Sequence, residues 1–244
     1  MKYQINETFF EKIDSAQKAW MLGFITADGC IYKRNGHQTM LTISVRDYDV
    51  EILELFKKYI SPEHSIIHVQ DKKRPNTVMS TLQLTSNILC NSLENIGIGP
   101  RKTFDLDIAN ILGKLSEEYR FAFILGYFDG DGNIDVPSNG TISKSHVRIS
   151  GPMKNLKAFQ TFLSENHIEV SVIEDKRNYK EPFGSLECKN TISKYCFLKK
   201  IYDSKVTSLS RKKEIAKDLC NRIENNVTNR SENKKALEYY NLWF

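Results

Sequence analysis

The chain of 244 residues is long enough for one large domain or two small ones, each with its own hydrophobic core. Hydrophobic residues make up 40% of it and charged residues 27%, proportions that exclude an intrinsically disordered chain. The net charge of +5 permits an anionic partner without requiring one, because many proteins that bind no anion are equally basic.

The cysteines argue against a disulfide framework and against a zinc site. Their number is odd, and no two are separated by only two residues; they are Cys30, Cys90, Cys188, Cys196 and Cys220. No apolar run approaches the roughly 18 residues of a membrane span. We therefore expect a soluble intracellular protein that binds no membrane, in the cytoplasm or nucleoid or in an organelle.

The first half of the chain predicts the element order α-β-β-α-β-β-α. Its first helix is apolar and ends at Asp28-Gly29. A strand pair follows around the turn dipeptide Asn35-Gly36, and apolar residues at helical spacing come next. The remaining predicted elements are the strands Cys30–Lys33 and Thr39–Arg46, the strands Ser65–Lys73 and Thr77–Thr85, and the helices 50–60 and Ser86–Ile96.

The second half repeats this order. Residues 123–134, FILGYFDGDGNI, correspond to residues 20–31, WMLGFITADGCI, at an offset of 103 residues (Gly23 to Gly126). The elements that follow also correspond: the strands Ile134–Val136 and Val147–Ser150 around Asn139-Gly140, a helix over 153–163, the strands Glu169–Arg177 and Gly184–Ser193, and the helix Ser193–Asp203. Agreement of so many elements indicates a duplicated unit.

The repeat predicts an α+β fold, a pseudo-two-fold monomer whose two repeats each carry a curved antiparallel sheet. The join lies around Phe104–Glu117, and two helices, Arg211–Glu224 and Glu232–Trp243, follow the second repeat. We divide the chain into an N-terminal half at 1–110, a C-terminal half at 111–225 and a helical tail at 226–244. The aromatic residues of the tail suggest that it packs onto the body, and disorder is the alternative.

Small residues recur at helical spacing in both copies of the apolar helix. Gly23 and Ala27 are four residues apart, as are Gly126 and Gly130, so each pair lies on one helix face. Such faces let two helix backbones approach closely, as in membrane helix pairs. The remaining residues of both helices are mostly apolar, which places the helices in the interior. We therefore expect the two helices to pack side by side.

Each apolar helix ends in Asp-Gly. Gly29 and Gly132 suit a helix end because glycine tolerates the left-handed conformation. Asp28 and Asp131 do not suit it, because a carboxylate there faces the negative end of the helix dipole. If the helices pack in parallel, both carboxylates also repel each other unless a hard divalent cation lies between them. The alternative is that Asp-Gly is a common turn dipeptide in both places.

These residues carry a family resemblance. Met21–Gly29 and Ile124–Gly132 are similar to the two LAGLIDADG motifs of single-chain homing endonucleases, and the element order matches the repeat of that family. The resemblance extends from Ser15 to Leu219. The first motif departs from the name at Thr26, where aspartate is usual, while the eighth-position acid is present in both motifs.

The resemblance implies an enzyme that hydrolyses both strands of a long, asymmetric double-stranded DNA site. In that family, Asp28 and Asp131 would be the catalytic acids and would bind Mg²⁺, or Mn²⁺ or Ca²⁺ at the same site. A basic residue stands near each scissile phosphate, and Lys102 and Lys212 match those positions. Ordinary solvated lysines are the alternative, and Arg101 or Arg211 could exchange roles with them.

A polar residue at the end of the second strand orders active-site water in the same family. Asp47 matches this position, and it is our fifth candidate catalytic residue, whereas the second half has Gly151-Pro152 there. The two halves of the active site are therefore predicted to differ. Asp47 is equally suited to be the N-terminal cap of the helix that begins near Tyr48.

Basic residues on and beside the predicted strands are candidates for DNA contact, since antiparallel sheets fit the major groove. They are Lys33, Arg34, Arg46, Lys72, Lys73 and Arg74 in the first half, and Lys144, Arg148, Lys176, Arg177 and Lys180 in the second. Solvated strand faces are the alternative. Phosphate contacts would make binding depend strongly on salt.

Two other functions fit the same motifs. One is an RNA-splicing maturase, with or without nuclease activity, whose partner is intron RNA. The other is a non-catalytic DNA-binding regulator on the same fold. The two intact motif acids favour the nuclease over the regulator, and they do not distinguish it from the maturase.

Overall fold

The computed structural model describes residues 3–34, 38–70, 74–100, 102–138, 141–177, 181–225 and 231–243. The first half of the chain contains α1 (Ala16–Asp28), β1 (Gly29–Arg34), β2 (Gln38–Arg46), a 3₁₀ turn (Asp47–Asp49), α2 (Glu51–Ile60), β3 (Ile67–Gln70), β4 (Val78–Thr85) and α3 (Asn87–Ile96). The predicted order α-β-β-α-β-β-α is confirmed for this half. The turn dipeptides Asn35-Gly36 and Asn139-Gly140 lie outside the described residues.

Two short helices, α4 (Lys102–Asp105) and α5 (Ile108–Lys114), form the join, for which the sequence predicted no element. The second half then contains α6 (Glu117–Asp131), β5 (Gly132–Asp135), a 3₁₀ turn (Ile142–Lys144), β6 (His146–Pro152), α7 (Met153–Glu165), β7 (Val170–Glu174), β8 (Phe183–Cys188) and α8 (Thr191–Tyr202). The chain continues in α9 (Ser210–Asn225) and α10 (Ser231–Trp243). The same order of seven elements is confirmed in this half.

The end of β8 and the presence of α5 differ from the prediction for local reasons. The predicted strand Gly184–Ser193 ends at Cys188, because the Asn190 side chain caps α8 by accepting a hydrogen bond from the Ser193 amide at 2.9 Å. In the join, Ile108, Ile111, Leu112 and Leu115 are buried at helical spacing, which explains α5.

Among the described residues, no helix combines the length and apolarity of a membrane span.

The chain divides into two compact units. The first comprises residues 1–106, 110–130 and 207–209, and the second comprises 107–109, 131–206 and 210–244. Both motif helices, α6 as far as Gly130, therefore belong to the unit that contains the first sheet. The division of the chain at residue 110 was drawn from the sequence repeat and not from compactness, so it stays a prediction.

Each unit contains one four-stranded antiparallel sheet. The strand orders are β1-β2-β4-β3 and β5-β6-β8-β7. Burial alternates along the central strands, as in Ser80, Leu82 and Leu84 of β4 and in Val147 and Ile149 of β6. One face of each sheet is thus covered, by α2 and α3 in the first unit and by α7 in the second. We call the opposite, partly exposed face the open face of that sheet.

The last two helices complete the second unit. Helix α10 packs against α8 and α9, and the ring of Tyr240 meets Tyr195 edge-on at 5.6 Å between centroids. Glu224 of α9 accepts hydrogen bonds from the Tyr195 hydroxyl at 2.7 Å and from Lys199 Nζ at 3.0 Å. The part of the tail at 231–243 therefore packs onto the body, as one of the two sequence-based alternatives predicted.

Replacing Glu224 tests this packing through its pH dependence. Partial burial opposes ionisation, but the hydrogen bonds from Tyr195 and Lys199 outweigh it and hold the pKa of Glu224 below its ordinary value. The stabilisation is therefore complete above the ordinary pKa and is lost as pH falls through the lowered one. We expect Glu224→Gln to cost about 1 kcal/mol at neutral pH, a fall in Tm of about 2–4 °C.

The comparison is made by thermal melts from pH 7 down to pH 3. The Tm difference between wild type and Glu224→Gln should shrink as the pH falls. Glu165→Gln, which changes an exposed carboxylate at the end of α7, should leave Tm unchanged throughout. A Glu224→Gln difference that grows toward low pH would contradict this account.

Candidate functional site

The two motif helices pack backbone against backbone. A Cβ atom on Gly23 would overlap the carbonyl of Phe123 and lie 2.9 Å from the amide nitrogen of Tyr127. A Cβ atom on Gly126 would overlap the carbonyl of Trp20 and lie 2.8 Å from the amide nitrogen of Phe24. Gly23 and Gly126 occupy the same position in the two motifs, so each helix makes the same contact with the other. The predicted close packing is therefore confirmed, and the contact is reciprocal.

The last turns of α1 and α6 lie side by side. A Cβ atom on Gly130 would overlap the Cβ of Ala27 and lie 3.2 Å from Oδ2 of Asp28. The exposed Asp28 carboxylate thus borders the final turn of α6, whose close approach requires glycine at position 130. Asp131, which is also exposed, is the next residue along α6. The helices consequently run in the same direction.

Gly29 ends α1 in a way the sequence did not predict. Its φ is −72° and its ψ is 153°, an extended conformation rather than the left-handed one. Glycine is required there by space instead, because a Cβ atom would lie 2.7 Å from the Ile25 carbonyl oxygen. Among the described glycines, Gly97 has a positive φ, and Gly132 does not. The expectation of a left-handed helix end was wrong for both motifs.

Two lysines lie at the ends of the motif helices. Lys102 Nζ donates to the carbonyl oxygens of Ile25, Thr26 and Ala27 at 2.9, 2.7 and 2.5 Å, in the last turn of α1. Lys212 is buried, and its Nζ donates to the Gly132 carbonyl oxygen at 2.6 Å, one residue after Asp131. Neither is a solvated surface lysine. Each places a cation at the negative end of a helix, where it offsets the adjacent carboxylate.

Lys102 should stabilise the end of α1 measurably. Lys102→Met keeps most of the apolar stem and leaves the three carbonyl groups without the ammonium donor. We expect a loss of about 1–3 kcal/mol in the free energy of unfolding, measured by urea titration. Lys114→Met is the matched control, because Lys114 Nζ also donates to carbonyl groups, those of Asn95 and Ile96, but lies in an exposed contact away from the motif. A larger loss in the control than in Lys102→Met would contradict this role.

Asp47 lies in a polar cluster at the rim of the first sheet. Its Oδ1 accepts from Ser80 Oγ at 2.6 Å and from His68 Nδ1 at 2.8 Å. These hydrogen bonds, that from Ser80 first, hold the pKa of Asp47 below its ordinary value. The alternative that Asp47 caps α2 was wrong, since residue 50 precedes that helix and makes no side-chain cap. The role of Asp47 in ordering water stays a prediction.

A buried hydrogen bond joins the two motif helices, and the sequence analysis missed it. Trp20 Nε1 donates to Oδ2 of Asp129 at 2.8 Å, and the amide of Leu209 donates to the same oxygen at 3.1 Å. The equivalent residue in the first motif, Thr26, donates instead to the Leu22 carbonyl at 2.7 Å. The departure at Thr26 therefore affects packing rather than the eighth-position acid. The sequence did contain a signal for this bond, because an indole donor and a carboxylate acceptor stand within otherwise apolar helices.

The basic residues of the first sheet do not share one face. Arg46 is exposed on the open face and lines a groove of about 450 Å³ together with Arg74, Val69 and Met79. Lys33 pairs in register with the buried Thr39, so it lies toward α3, where its Nζ is 3.4 Å from Glu94. Lys72, Lys73 and Arg101 lie outside the described residues, and so does the side chain of Arg34.

In the second sheet, Arg148 lies on the open face of β6, and the exposed Lys144 lies in the 3₁₀ turn before it. Lys176 and Arg177 are exposed beyond the end of β7, and Arg177 Nη2 pairs with Asp175 at 2.5 Å. Lys180 lies outside the described residues. The structure thus brings Arg46 and Arg74 together in one unit and places the basic residues of the other unit around its sheet.

No family model and no curated protein matches the chain. Solved structures do. The meganuclease I-SmaMI bound to uncleaveable DNA matches with a TM-score of 0.57 and 16% identity over 92% of this chain and 96% of that one. The LAGLIDADG homing endonuclease I-GzeII in complex with its DNA target gives 0.54 and 13% over 91% and 96%. The chain has the LAGLIDADG homing endonuclease fold.

A third structure with the LAGLIDADG fold agrees. The homing endonuclease I-WcaI bound to its DNA recognition sequence matches with a TM-score of 0.58 and 12% identity, over 84% of this chain and 90% of that one. The LAGLIDADG resemblance inferred from two nine-residue motifs is therefore confirmed at the level of the fold. At these identities, the likeness shows the fold alone.

Proposed function

We propose that this chain is a site-specific DNA endonuclease that makes a metal-dependent double-strand break in a long, asymmetric target. The observation that carries the proposal is the reciprocal backbone packing of α1 and α6. The two helices run in parallel, and each ends in a carboxylate at the end where the helix dipole disfavours negative charge. Two carboxylates can lie close together at such helix ends when a nearby cation offsets their repulsion.

The chemistry of the motif acids suits a hard divalent cation. Carboxylate oxygens are preferred ligands of Mg²⁺, which usually keeps several waters and takes its remaining ligands from substrate phosphates. Among the described residues, no group of three histidine, cysteine, aspartate or glutamate side chains could hold a metal ion by itself. Glycine at position 130 lets the last turn of α6 approach Ala27 and Asp28 closely. We propose Mg²⁺, or Mn²⁺ or Ca²⁺ at the same place.

When bound, the metal would supply activation of water and stabilisation of charge on the leaving oxygen. Asp28 and Asp131 would hold it. Lys102 and Lys212 would offset the negative ends of the two helices next to these acids. We propose that Asp47 orders water at the rim of the first sheet through its exposed carboxylate, which Ser80 and His68 orient.

The open faces of the sheets would contact the DNA. We propose that Arg46 and Arg74 in the first unit, and Lys144, Arg148, Lys176 and Arg177 in the second, bind phosphates or base edges. Because one chain carries both motifs, we propose that it acts as a monomer. Among the candidates that the structure describes, Lys33 is the least suited, since it lies on the covered side of its sheet and pairs with Glu94.

The proposal is tested by incubating the chain with Mg²⁺ and a library of random duplexes, and then sequencing the cut ends. We expect one long, non-palindromic consensus, and we expect affinity for it to fall steeply as the salt concentration rises. Binding without cutting would indicate a DNA-binding regulator. Binding of structured intron RNA in preference to every duplex would indicate a maturase. Either outcome would contradict the proposal.

A further inference from the structure

The open face of the second sheet carries opposite charges side by side. Arg148 of β6 pairs in register with Glu187 of β8, so their side chains project from the same face as direct neighbours. Asn133 of β5 and Ser171 of β7 extend this row across all four strands. The row therefore places an amide, a guanidinium, a carboxylate and a hydroxyl next to one another.

The carboxylate of Glu187 is held in place by its neighbours. Ser185 Oγ donates to its Oε1 at 3.1 Å, and His146 Nδ1 lies 4.0 Å from its Oε2. The side chain retains 23% of its full exposure, so it is oriented rather than freely mobile. Within the part of the chain that the structure describes, Arg148 forms no ion pair with this carboxylate despite facing it across the register.

Among the described residues of the first sheet, the equivalent row holds no such charge pair. Gly29 pairs with Ile43 as Gly132 pairs with Ile149, so the neighbouring row of the first sheet is Cys30, Thr42 and Gln83. All three side chains are uncharged. The charged row is thus confined to one unit, and any effect on recognition should be confined to one half of a target.

A carboxylate on a DNA-binding face repels phosphates unless a base donates to it. In the major groove the donors are the amino groups of cytosine and adenine, while guanine offers the O6 and N7 acceptors that suit the arginine fork. A G·C base pair presents both the guanine acceptors and the cytosine donor on one edge. We propose that Arg148 and Glu187 together read one G·C base pair, with Arg148 on guanine and Glu187 on cytosine.

This inference rests on the proposed function, since it assigns two specificity-determining residues to the same DNA interface. Its test compares three variants of the full chain on cut sites selected from a random duplex library. Glu187→Gln removes the charge, Arg148→Lys keeps the charge but loses the fork, and Glu174→Gln is the control. Glu174→Gln removes the same charge from the same sheet. Glu174 pairs in register with the buried Gly184, so its side chain lies on the opposite face.

We expect the wild type to favour G·C at one position by about tenfold or more over the other base pairs. Glu187→Gln and Arg148→Lys should each reduce that preference to about twofold or less, at the same position, and leave the other half-site unchanged. Glu187→Gln should also bind unrelated duplexes more tightly, because a repulsive charge is gone. Glu174→Gln should keep the wild-type preference. A merely structural role for Glu187 would instead weaken binding to every sequence and lower Tm.

The inference is overturned if both interface variants keep the wild-type preferences, or if they alter different positions. The proposed function is then still supported as long as the wild type cuts a defined site. If the wild type selects and cuts no site, the proposed function fails, and this inference fails with it.

Discussion

We expect Asp28→Asn and Asp131→Asn each to reduce double-strand cleavage by at least about a thousandfold, because a bound metal contributes several kcal/mol to transition-state stabilisation. Affinity for the target should change little, since most of the contact area is on the sheets. Thermal melts of both variants check that each one remains folded.

Cleavage is measured on a duplex that carries the selected site, and binding is measured on the same duplex without metal. Asp203→Asn is the matched control, because Asp203 is an exposed aspartate directly after α8. It should cut at the wild-type rate. Wild-type cleavage by both motif variants would show that the motif acids do not perform the reaction.

The second large effect concerns the packing of the motif helices. We expect Gly126→Ala to lower the free energy of unfolding by about 3 kcal/mol or more, since the added methyl group would meet backbone atoms of α1 that cannot move aside individually. The two helices would have to separate, and cleavage would fall with them. Urea titration gives the stability change, and the nuclease assay on the selected duplex gives the loss of cleavage.

The chain provides a control for this substitution within α5. A Cβ atom on Gly113 would meet nothing within 4 Å, and the residue is exposed in a helix. Gly113→Ala should therefore leave stability unchanged or raise it by up to about 1 kcal/mol, because alanine favours the helix. If Gly126→Ala were as stable as Gly113→Ala, the close contact of the two helices would not exist in solution.

Local patterns made most of the fold predictable. Hydrophobic periodicity and the repeat located the elements of both halves, and the small residues at positions 23 and 126 predicted the helix pairing. The end of β8 and the presence of α5 were harder to predict. The end of β8 follows from the cap that Asn190 supplies to α8, and α5 follows from four buried residues within a segment assigned to the join.

The positions of the two motif acids at helix ends were predictable, and their surroundings were less so. Asp28 and Asp131 stood out because carboxylates are disfavoured at helix ends. The partners of Lys102, Trp20 and Asp129 are distant in sequence, and only the folded chain brings them together. The face on which Lys33 lies depends on strand register, which the basic pattern alone does not determine.

The most direct test is digestion of a plasmid that carries the selected site, with Mg²⁺ in one sample and with a chelator in the other. We expect a single linear product cut at that site in the presence of Mg²⁺, and uncut plasmid in the presence of the chelator. An equally cut plasmid in both samples would contradict metal dependence. A plasmid that is bound tightly at the site and remains intact with Mg²⁺ and with Mn²⁺ would contradict the assignment as a nuclease.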